Sequence, residues 1–121
     1  MEMVGIIKLW WARLTGKKLF LLSENELLFK KQLREVKLLR SEINGHEFCI
    51  IERNGAIVAF ENICPHRGLP LHNGFMENDC WVCPFHRHYF SLEGSENPKG
   101  HEGHLQFGDV RVIGRKVYFV G

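Results

Sequence analysis

Cysteine, unbalanced charge and long apolar runs are all scarce in this chain of 121 residues. Its four cysteines are few for the disulfide scaffold of a small secreted protein. Sixteen basic and fourteen acidic residues give a net charge of +2, so neither nucleic acid nor an anionic membrane is expected as the main partner. No apolar run reaches the roughly 20 residues that a membrane span requires. We therefore expect a soluble, cytoplasmic protein without a membrane span.

The N-terminus carries an apolar cluster that charged residues interrupt. Because Lys8 and Arg13 break the run and no small-residue cleavage site follows, we predict no secretory signal. The segment is either an amphipathic helix or a first strand packed on the core, and core packing is the favoured interpretation. The chain length fits a single domain over residues 1–121, with residues 1–16 as a candidate extension. The cluster comprises Val4, Ile6, Ile7, Leu9, Trp10 and Trp11.

Two Asn-Gly pairs indicate β-hairpins in the middle of the chain. Asn44-Gly45 and Asn54-Gly55 lie between apolar runs, and both residue types tolerate the positive φ that a type I′ turn requires. They predict a three-stranded meander over roughly residues 36–61.

Further short strands complete an all-β pattern. Ser23 and Glu26 have capping-box spacing, which predicts helical turns. The Leu and Lys content of residues 27–39 suits a helix, but Val36-Lys37-Leu38-Leu39 could equally be a strand that leads into the next hairpin. The pattern predicts an antiparallel β-sandwich or small barrel. We expect loops over 69–79 and 95–108, and strands over 17–22, 79–83, 89–92, 109–113 and 116–120.

Two short motifs hold the residues most suited to metal chemistry. Cys64-Pro65-His66 and Cys83-Pro84-Phe85-His86 each supply one thiol and one imidazole. Two sulfurs and two nitrogens are a metal-binding set. Their order differs from the Cys, Cys, His, His order of the helix-bearing zinc finger.

The order instead resembles the Rieske iron–sulfur family, in which cysteines hold one iron of a [2Fe–2S] cluster and histidines hold the other. The resemblance implies one cluster per chain, with Cys64 and Cys83 on one iron and His66 and His86 on the other. The proline after each cysteine, Gly68 and Phe90 also match. It further implies a Rieske-like antiparallel β-structure with a two-loop cluster-binding subdomain, here about residues 62–91.

Departures from the high-potential members of that family predict a low reduction potential. Leu69 and Phe85 occupy the positions of a cysteine pair that forms a disulfide in those members. His88 and Phe90 stand where the resemblance places a serine and a tyrosine that donate to cluster sulfurs. The family range is about −150 to +300 mV, and we expect the lower, ferredoxin-like end. Arg87 stands where the family often has a glycine, whose missing side chain lets the backbone approach the cluster.

The resemblance implies a soluble one-electron carrier between a reductase and a terminal oxygenase or similar enzyme. No nucleophile elbow or phosphate-binding glycine loop is present, so we expect a carrier rather than an enzyme, and a monomer. One alternative is an accessory chain resembling the nitrite reductase small subunit. Another is a binding module in which the same four ligands hold zinc. Arg67 and Arg87 are either solvated or form a basic rim for an acidic redox partner.

The remaining histidines are expected on the surface, with one exception. His46 and His72 should be exposed, and the run from His101 to His104 should be a solvated loop. For His88 two orientations stay open. It points either toward the cluster, as an N–H donor in place of the serine, or toward solvent.

The two cysteines outside the motifs are expected to be free and buried. Cys49 lies in an apolar run typical of a buried strand, and Cys80 precedes the second motif. Trp81, beside the same motif, is interpreted as packing.

Overall fold

The computed structural model describes residues 16–121, and strands dominate this part of the chain. The alternatives for the N-terminal apolar cluster lie outside the described residues. The elements are β1 (Leu19–Ser23), α1 (Glu26–Val36), β2 (Leu39–Ile43), β3 (His46–Arg53), β4 (Ala56–Glu61), β5 (Phe75–Glu77), β6 (Cys80–Val82), β7 (Tyr89–Ser91), a 3-10 turn (Pro98–Gly100), β8 (Asp109–Ile113) and β9 (Lys116–Val120).

The strands form three antiparallel sheets of three strands each within residues 16–121. Their orders are β1-β9-β8, β2-β3-β4 and β5-β6-β7. A bridge between Phe60 and Phe107 and a 2.9 Å hydrogen bond from Gly108 N to Ala59 O join β4 to the chain entering β8. The first two sheets are thereby linked, and the third carries both predicted ligand loops at its margins. The predicted fold class is confirmed.

The Asn-Gly hairpins form as predicted. Asn44 and Gly45 have φ of 54° and 79°, and Asn54 and Gly55 have φ of 51° and 82°. Both turn residues are left-handed, as the type I′ geometry requires. The β2–β3–β4 meander starts at Leu39 rather than near residue 36 because α1 extends to Val36.

One strand was missed in the predicted loop over residues 69–79. β5 pairs with β6 through a turn at Asn78 and Asp79, whose φ values are 49° and 62°. Asp tolerates the left-handed region less readily than Gly, so the Asn-Asp pair is a weaker hairpin signal than Asn-Gly. β5 also lies very close to β6, since a Cβ at Gly74 would collide with the carbonyl oxygen of Val82.

The ambiguous segment after β1 is a helix, but its cap is not the predicted one. Asn25 is the N-cap, and its side-chain oxygen accepts a 3.1 Å hydrogen bond from Leu28 N. Ser23 instead holds the preceding turn, where its hydroxyl oxygen accepts from Asn25 N at 3.1 Å. α1 has 11 residues and buries Phe29 and Leu33. Among the described residues no helix is long and apolar enough to cross a membrane.

The meander separates two apolar clusters because successive strand residues face opposite sides. Ile50 of β3 joins the cluster beneath α1, whereas its neighbours Cys49 and Ile51 join the cluster beneath the predicted ligand loops. The second cluster contains Cys49, Ile51, Phe60, Cys64, Leu71, Trp81, Cys83, Phe90, Leu92 and Leu105. Both motif cysteines are therefore part of the hydrophobic core.

An ion-pair clamp holds the third sheet to the meander. Arg53, at the end of β3, lies 2.6 Å from Glu93 Oε1 and 3.2 Å from Asp79 Oδ1. The hydrogen bond that Arg53 donates to Glu93 is the main reason that the pKa of Arg53 is raised. Because Asp79 and Glu93 belong to the third sheet's connections, these ion pairs link that sheet to the end of β3.

Candidate metal centre

The first motif folds into a tight turn after β4. Cys64 N donates to Leu69 O at 2.7 Å, and Gly68 N donates back to Cys64 O at 2.7 Å. Gly68 has a φ of 75°, the left-handed region in which glycine avoids the steric cost that other residues meet. The two bonds close a loop that holds His66 at its tip.

The second motif repeats this turn between β6 and β7. Cys83 N donates to His88 O at 2.9 Å, and Arg87 N donates to Cys83 O at 3.0 Å. Arg87 has a φ of 54° and is therefore the counterpart of Gly68. The departure noted in the sequence does not alter the loop, although a left-handed side-chain-bearing residue costs about 1–2 kcal/mol.

The two cysteines meet in the core beneath the turns. Cys64 is 2% exposed and Cys83 is 1% exposed, and both are free thiols. Burial raises the pKa of the Cys64 thiol, backbone hydrogen bonds from Arg67 and His66 oppose this, and a hydrogen bond with the Cys83 thiol reinforces it. Paired buried sulfurs with backbone N–H groups turned toward them suit a cluster that carries negative charge on its sulfur atoms.

The two motif histidines lie together on the outer side of the turns. The rings of His66 and His86 have centroids 5.8 Å apart at an interplanar angle of 73°, and both residues are exposed. Within residues 16–121, no group of three or more His, Cys, Asp or Glu side chains is placed to hold a single metal ion. The donors instead occur as a buried sulfur pair and an exposed nitrogen pair.

The surface around the histidines is basic and partly apolar. Arg67 and Arg87 are both exposed, and the Phe85 side chain is 51% exposed. Phe85 lies between the second cysteine and the second histidine in sequence, so this aromatic ring belongs to the same turn as the ligand candidates.

His88 joins the site through a stack of three imidazole rings. Its ring lies 3.9 Å from that of His66 at 26°, and 4.4 Å from that of His101 at 21°. His101 is itself fixed, because its Nδ1 accepts a 2.8 Å hydrogen bond from Tyr89 N. The pKa of His88 is lowered mainly by burial and further by the neighbouring His66.

Asn62 anchors the first turn from below. The side chain of Asn62, which is 7% exposed, accepts hydrogen bonds from Leu71 N at 2.6 Å and His72 N at 2.9 Å. Its amide nitrogen lies 2.6 Å from Glu47 Oε1, to which it donates. These bonds tie the chain that leaves the first turn to strand β3.

Asn97 performs the same task for the loop after β7. It accepts from Ser91 N at 2.8 Å and donates to the carbonyl oxygens of His101 at 2.8 Å and Gly103 at 2.6 Å. Gly103, with φ of 91°, packs so closely on Pro65 that an added Cβ would lie 2.7 Å from Pro65 Cβ. The loop therefore braces the first turn and places His101 against His88.

The donor set fits the [2Fe–2S] cluster that the family resemblance implies. Two buried thiols lie side by side, two imidazoles lie beside each other on the solvent side, and backbone N–H groups turn toward a sulfur. The ring of His88, whose buried Nδ1 has no hydrogen-bond partner within residues 16–121, stacks on that of His66. Cys64, Cys83, His66 and His86 are the residues that would hold the irons, and their assignment as ligands remains a prediction.

The residues that support the site were less predictable from the sequence. His72 and His101 were expected on the surface, but both are half-buried and hydrogen-bonded. Asn62 and Asn97 were not singled out, since an asparagine in a loop is usually a turn residue. The free, buried state expected for Cys49 and Cys80 is confirmed.

Comparison with known proteins gives concordant results. The alkene monooxygenase system ferredoxin component of Xanthobacter autotrophicus is 29% identical over 77 residues, covering 63% of both chains. The ferredoxin of carbazole 1,9a-dioxygenase from Nocardioides aromaticivorans superposes with a TM-score of 0.57 at 20% identity, covering 68% of this chain and 82% of that one. A putative nitrite reductase small subunit superposes with a TM-score of 0.65 at 15% identity, covering 86% and 99%. These two structural likenesses concern the fold alone.

The chain spans less than two thirds of the curated relatives it matches, from 9% of choline monooxygenase of Amaranthus tricolor to 63% of the alkene monooxygenase ferredoxin component. The family model for the Rieske [2Fe-2S] domain matches residues 23–105, which is more than half of the chain and includes both ligand turns and the loop with Asn97. This protein therefore belongs to the Rieske [2Fe-2S] domain family.

Proposed function

We propose that this protein is a one-electron carrier that passes electrons from a reductase to an oxygenase or similar redox enzyme. The observation that carries the proposal is the pairing of two buried thiols with two exposed imidazoles at the same end of the fold. When bound, the [2Fe–2S] cluster supplies reversible one-electron storage. Names of relatives, such as the ferredoxin component of an alkene monooxygenase system, support this role.

The cysteine side of the site is shielded from water, whereas the histidine side is accessible to a partner protein. Cys64 and Cys83 lie in the apolar core, where Leu71 and Phe90 at 0% exposure exclude water from the inner side. His66 and His86 are exposed, so a partner could approach their ring edges. Electrons would therefore enter and leave on the histidine side.

The exposed rim indicates the chemistry of the partner's surface. Arg67 and Arg87 provide positive charge beside the histidines, and Phe85 provides an apolar contact. Complementary charge raises the rate of encounter and selects the partner, and it weakens with added salt. The carrier is thus proposed to act as a cytoplasmic monomer that docks transiently on an acidic partner face.

A low potential is part of the proposal. Leu69 and Phe85 exclude the disulfide between the turns that high-potential members carry, and Phe90 is fully buried without a hydroxyl group. Two imidazoles in place of two thiolates still hold the potential above that of a four-cysteine cluster. A redox titration should place the midpoint in the lower part of the range of about −150 to +300 mV.

The decisive experiment is metal analysis with EPR of the dithionite-reduced protein. Equal iron and sulfide, with an EPR signal of mixed cysteine and histidine ligation, is the expected result. Cys83→Ala should abolish cluster binding, whereas Cys80→Ala, which removes another buried free thiol, should retain it. A colourless protein with stoichiometric zinc would refute the carrier function and favour the zinc-stabilised module, since two thiolates and two imidazoles also suit zinc.

Partner specificity needs a separate measurement. Reduction of the carrier by a candidate reductase should slow with rising ionic strength, and the double variant Arg67→Gln/Arg87→Gln should weaken that dependence. The accessory-subunit alternative predicts something else, namely stable co-purification with a larger enzyme. Size-exclusion chromatography with light scattering distinguishes that outcome from a monomer.

A further inference from the structure

One buried polar atom beside the metal centre has no hydrogen-bond partner among the described residues, 16–121. Among the side chains of residues 16–121, His88 Nδ1 is the buried nitrogen or oxygen that lacks any hydrogen bond. Such an atom costs about 1–3 kcal/mol when it stays unpaired, and native proteins almost always satisfy it. His88 lies five residues after Cys83, and its ring stacks on that of His66, so the ring that carries this atom lies beside a predicted ligand of the cluster.

The ring cannot easily turn away to find another partner. His66 and His101 lie at 3.9 Å and 4.4 Å in near-parallel stacks, and two rings at such distances must occupy opposite faces of His88. The outer ring is fixed by the 2.8 Å bond from Tyr89 N to His101 Nδ1. The backbone of His88 is also held in place, because its carbonyl oxygen accepts a 2.9 Å hydrogen bond from Cys83 N.

We propose that His88 donates its Nδ1–H to a sulfur atom of the cluster and thereby tunes the reduction potential of the cluster. This rests on the proposed function, since the acceptor is present only when the cluster is bound. Sulfide and thiolate sulfurs accept hydrogen bonds and do not donate them. A sulfur acceptor therefore requires the tautomer of His88 that carries its proton on Nδ1.

The direction of the effect follows from charge. Reduction adds one negative charge to the cluster, so a donor to sulfur stabilises the reduced form more than the oxidised form. His88 should therefore raise the potential above the value that the same centre would have without a donor there. It would moderate, but not abolish, the low potential proposed from Phe90 and the missing disulfide.

The test compares two substitutions in the purified holoprotein. His88→Phe retains an aromatic ring for the stack but removes the donor, whereas His88→Asn places its amide N–H at about the position of Nδ1–H. We expect His88→Phe to disfavour reduction about tenfold, which for one electron is a shift of about 59 mV to lower potential. His88→Asn should restore the wild-type midpoint.

The matched control is His46→Phe, which removes a histidine that is exposed on a hairpin and pairs with Glu61 rather than with the site. It should leave the midpoint unchanged. Midpoints come from optical redox titration, with iron, sulfide and EPR measured on each variant. An unchanged midpoint in His88→Phe, or a midpoint in His88→Asn equal to that of His88→Phe, overturns the proposal.

Cluster content resolves the case in which His88→Phe fails to hold iron. Wild-type iron and sulfide in His88→Asn would then support the donor role, and loss in both variants would overturn it. Failure of the carrier function itself appears differently. In that case the wild-type protein lacks equal iron and sulfide or lacks the mixed-ligand EPR signal.

Discussion

Replacing Asn62 by alanine should loosen the first ligand turn without touching a predicted ligand. The asparagine oxygen accepts from Leu71 N and His72 N at 2.6 Å and 2.9 Å, and alanine leaves both donors without that acceptor. Leu71 is fully buried and His72 is half-buried, so water compensates poorly. An unsatisfied donor costs about 1–3 kcal/mol when it is fully buried, and the half-buried His72 N–H should cost about 1 kcal/mol, so we expect the free energy of opening of the turn to fall by about 2–4 kcal/mol.

The assay is the rate at which an iron chelator bleaches the visible absorbance of the cluster. If release proceeds through local opening of the turn, a loss of 2–4 kcal/mol accelerates bleaching about 30-fold to 1,000-fold. Asn73→Ala is the matched control, because Asn73 is exposed in the same connection. Equal bleaching rates in Asn62→Ala, Asn73→Ala and wild type would show that Asn62 does not hold the turn closed.

Three further substitutions test the surroundings of the site. Gly103→Ala should speed cluster loss in the same assay, because the added Cβ would lie 2.7 Å from Pro65 Cβ and the φ of Gly103 is 91°. A wild-type rate of bleaching would show that the loop can move to accommodate the added Cβ. Arg87→Gly removes the left-handed strain at φ of 54° but adds chain entropy to the unfolded state, so thermal unfolding should show a stability change between zero and about +1 kcal/mol. Burial raises the pKa of the Cys49 thiol from 9.0 to about 12. The protonated thiol therefore stabilises the folded protein fully below pH 9.0, and this contribution is lost as the pH rises from 9.0 to about 12. Between pH 9.0 and about 12, the free energy of unfolding of Cys49→Val should therefore fall less than that of the wild type. An equal fall in both proteins would contradict a buried thiol at this position.

Local signals allowed much of the fold to be predicted from the sequence. The hairpins at Asn44-Gly45 and Asn54-Gly55 were predictable because few other residue pairs tolerate two consecutive left-handed conformations. The turn at Asn78 and Asp79 has the same geometry, but its weaker turn preference hid strand β5. The choice between helix and strand after Ser23 was settled by tertiary packing of Phe29 and Leu33, which local propensity does not encode.

The candidate site divides in the same way. The four donors follow from motif order alone, because each turn is local in the chain. The loop after β7, which carries Asn97 and His101, could not be assigned to the site from the sequence. His101 is more than ten residues from His88 in the chain, and its contact with His88 depends on the long-range bonds of Asn97. Burial of a polar side chain in a tertiary contact has no local sequence signature, so Asn62 and Asn97 could be found only in the structure.

The repeated turn has a consequence for how such centres can be recognised and built. Each turn is closed by its own pair of backbone bonds, and between them lies a separate connection that includes strand β5 and its hairpin to β6. The number of residues from His66 to Cys83 is thus set by that hairpin and not by the coordination geometry. A search for related centres should fix the residue pattern inside each turn and leave the intervening length free. For the same reason, a designer could lengthen or replace the tip of the β5–β6 hairpin while leaving both turns unchanged.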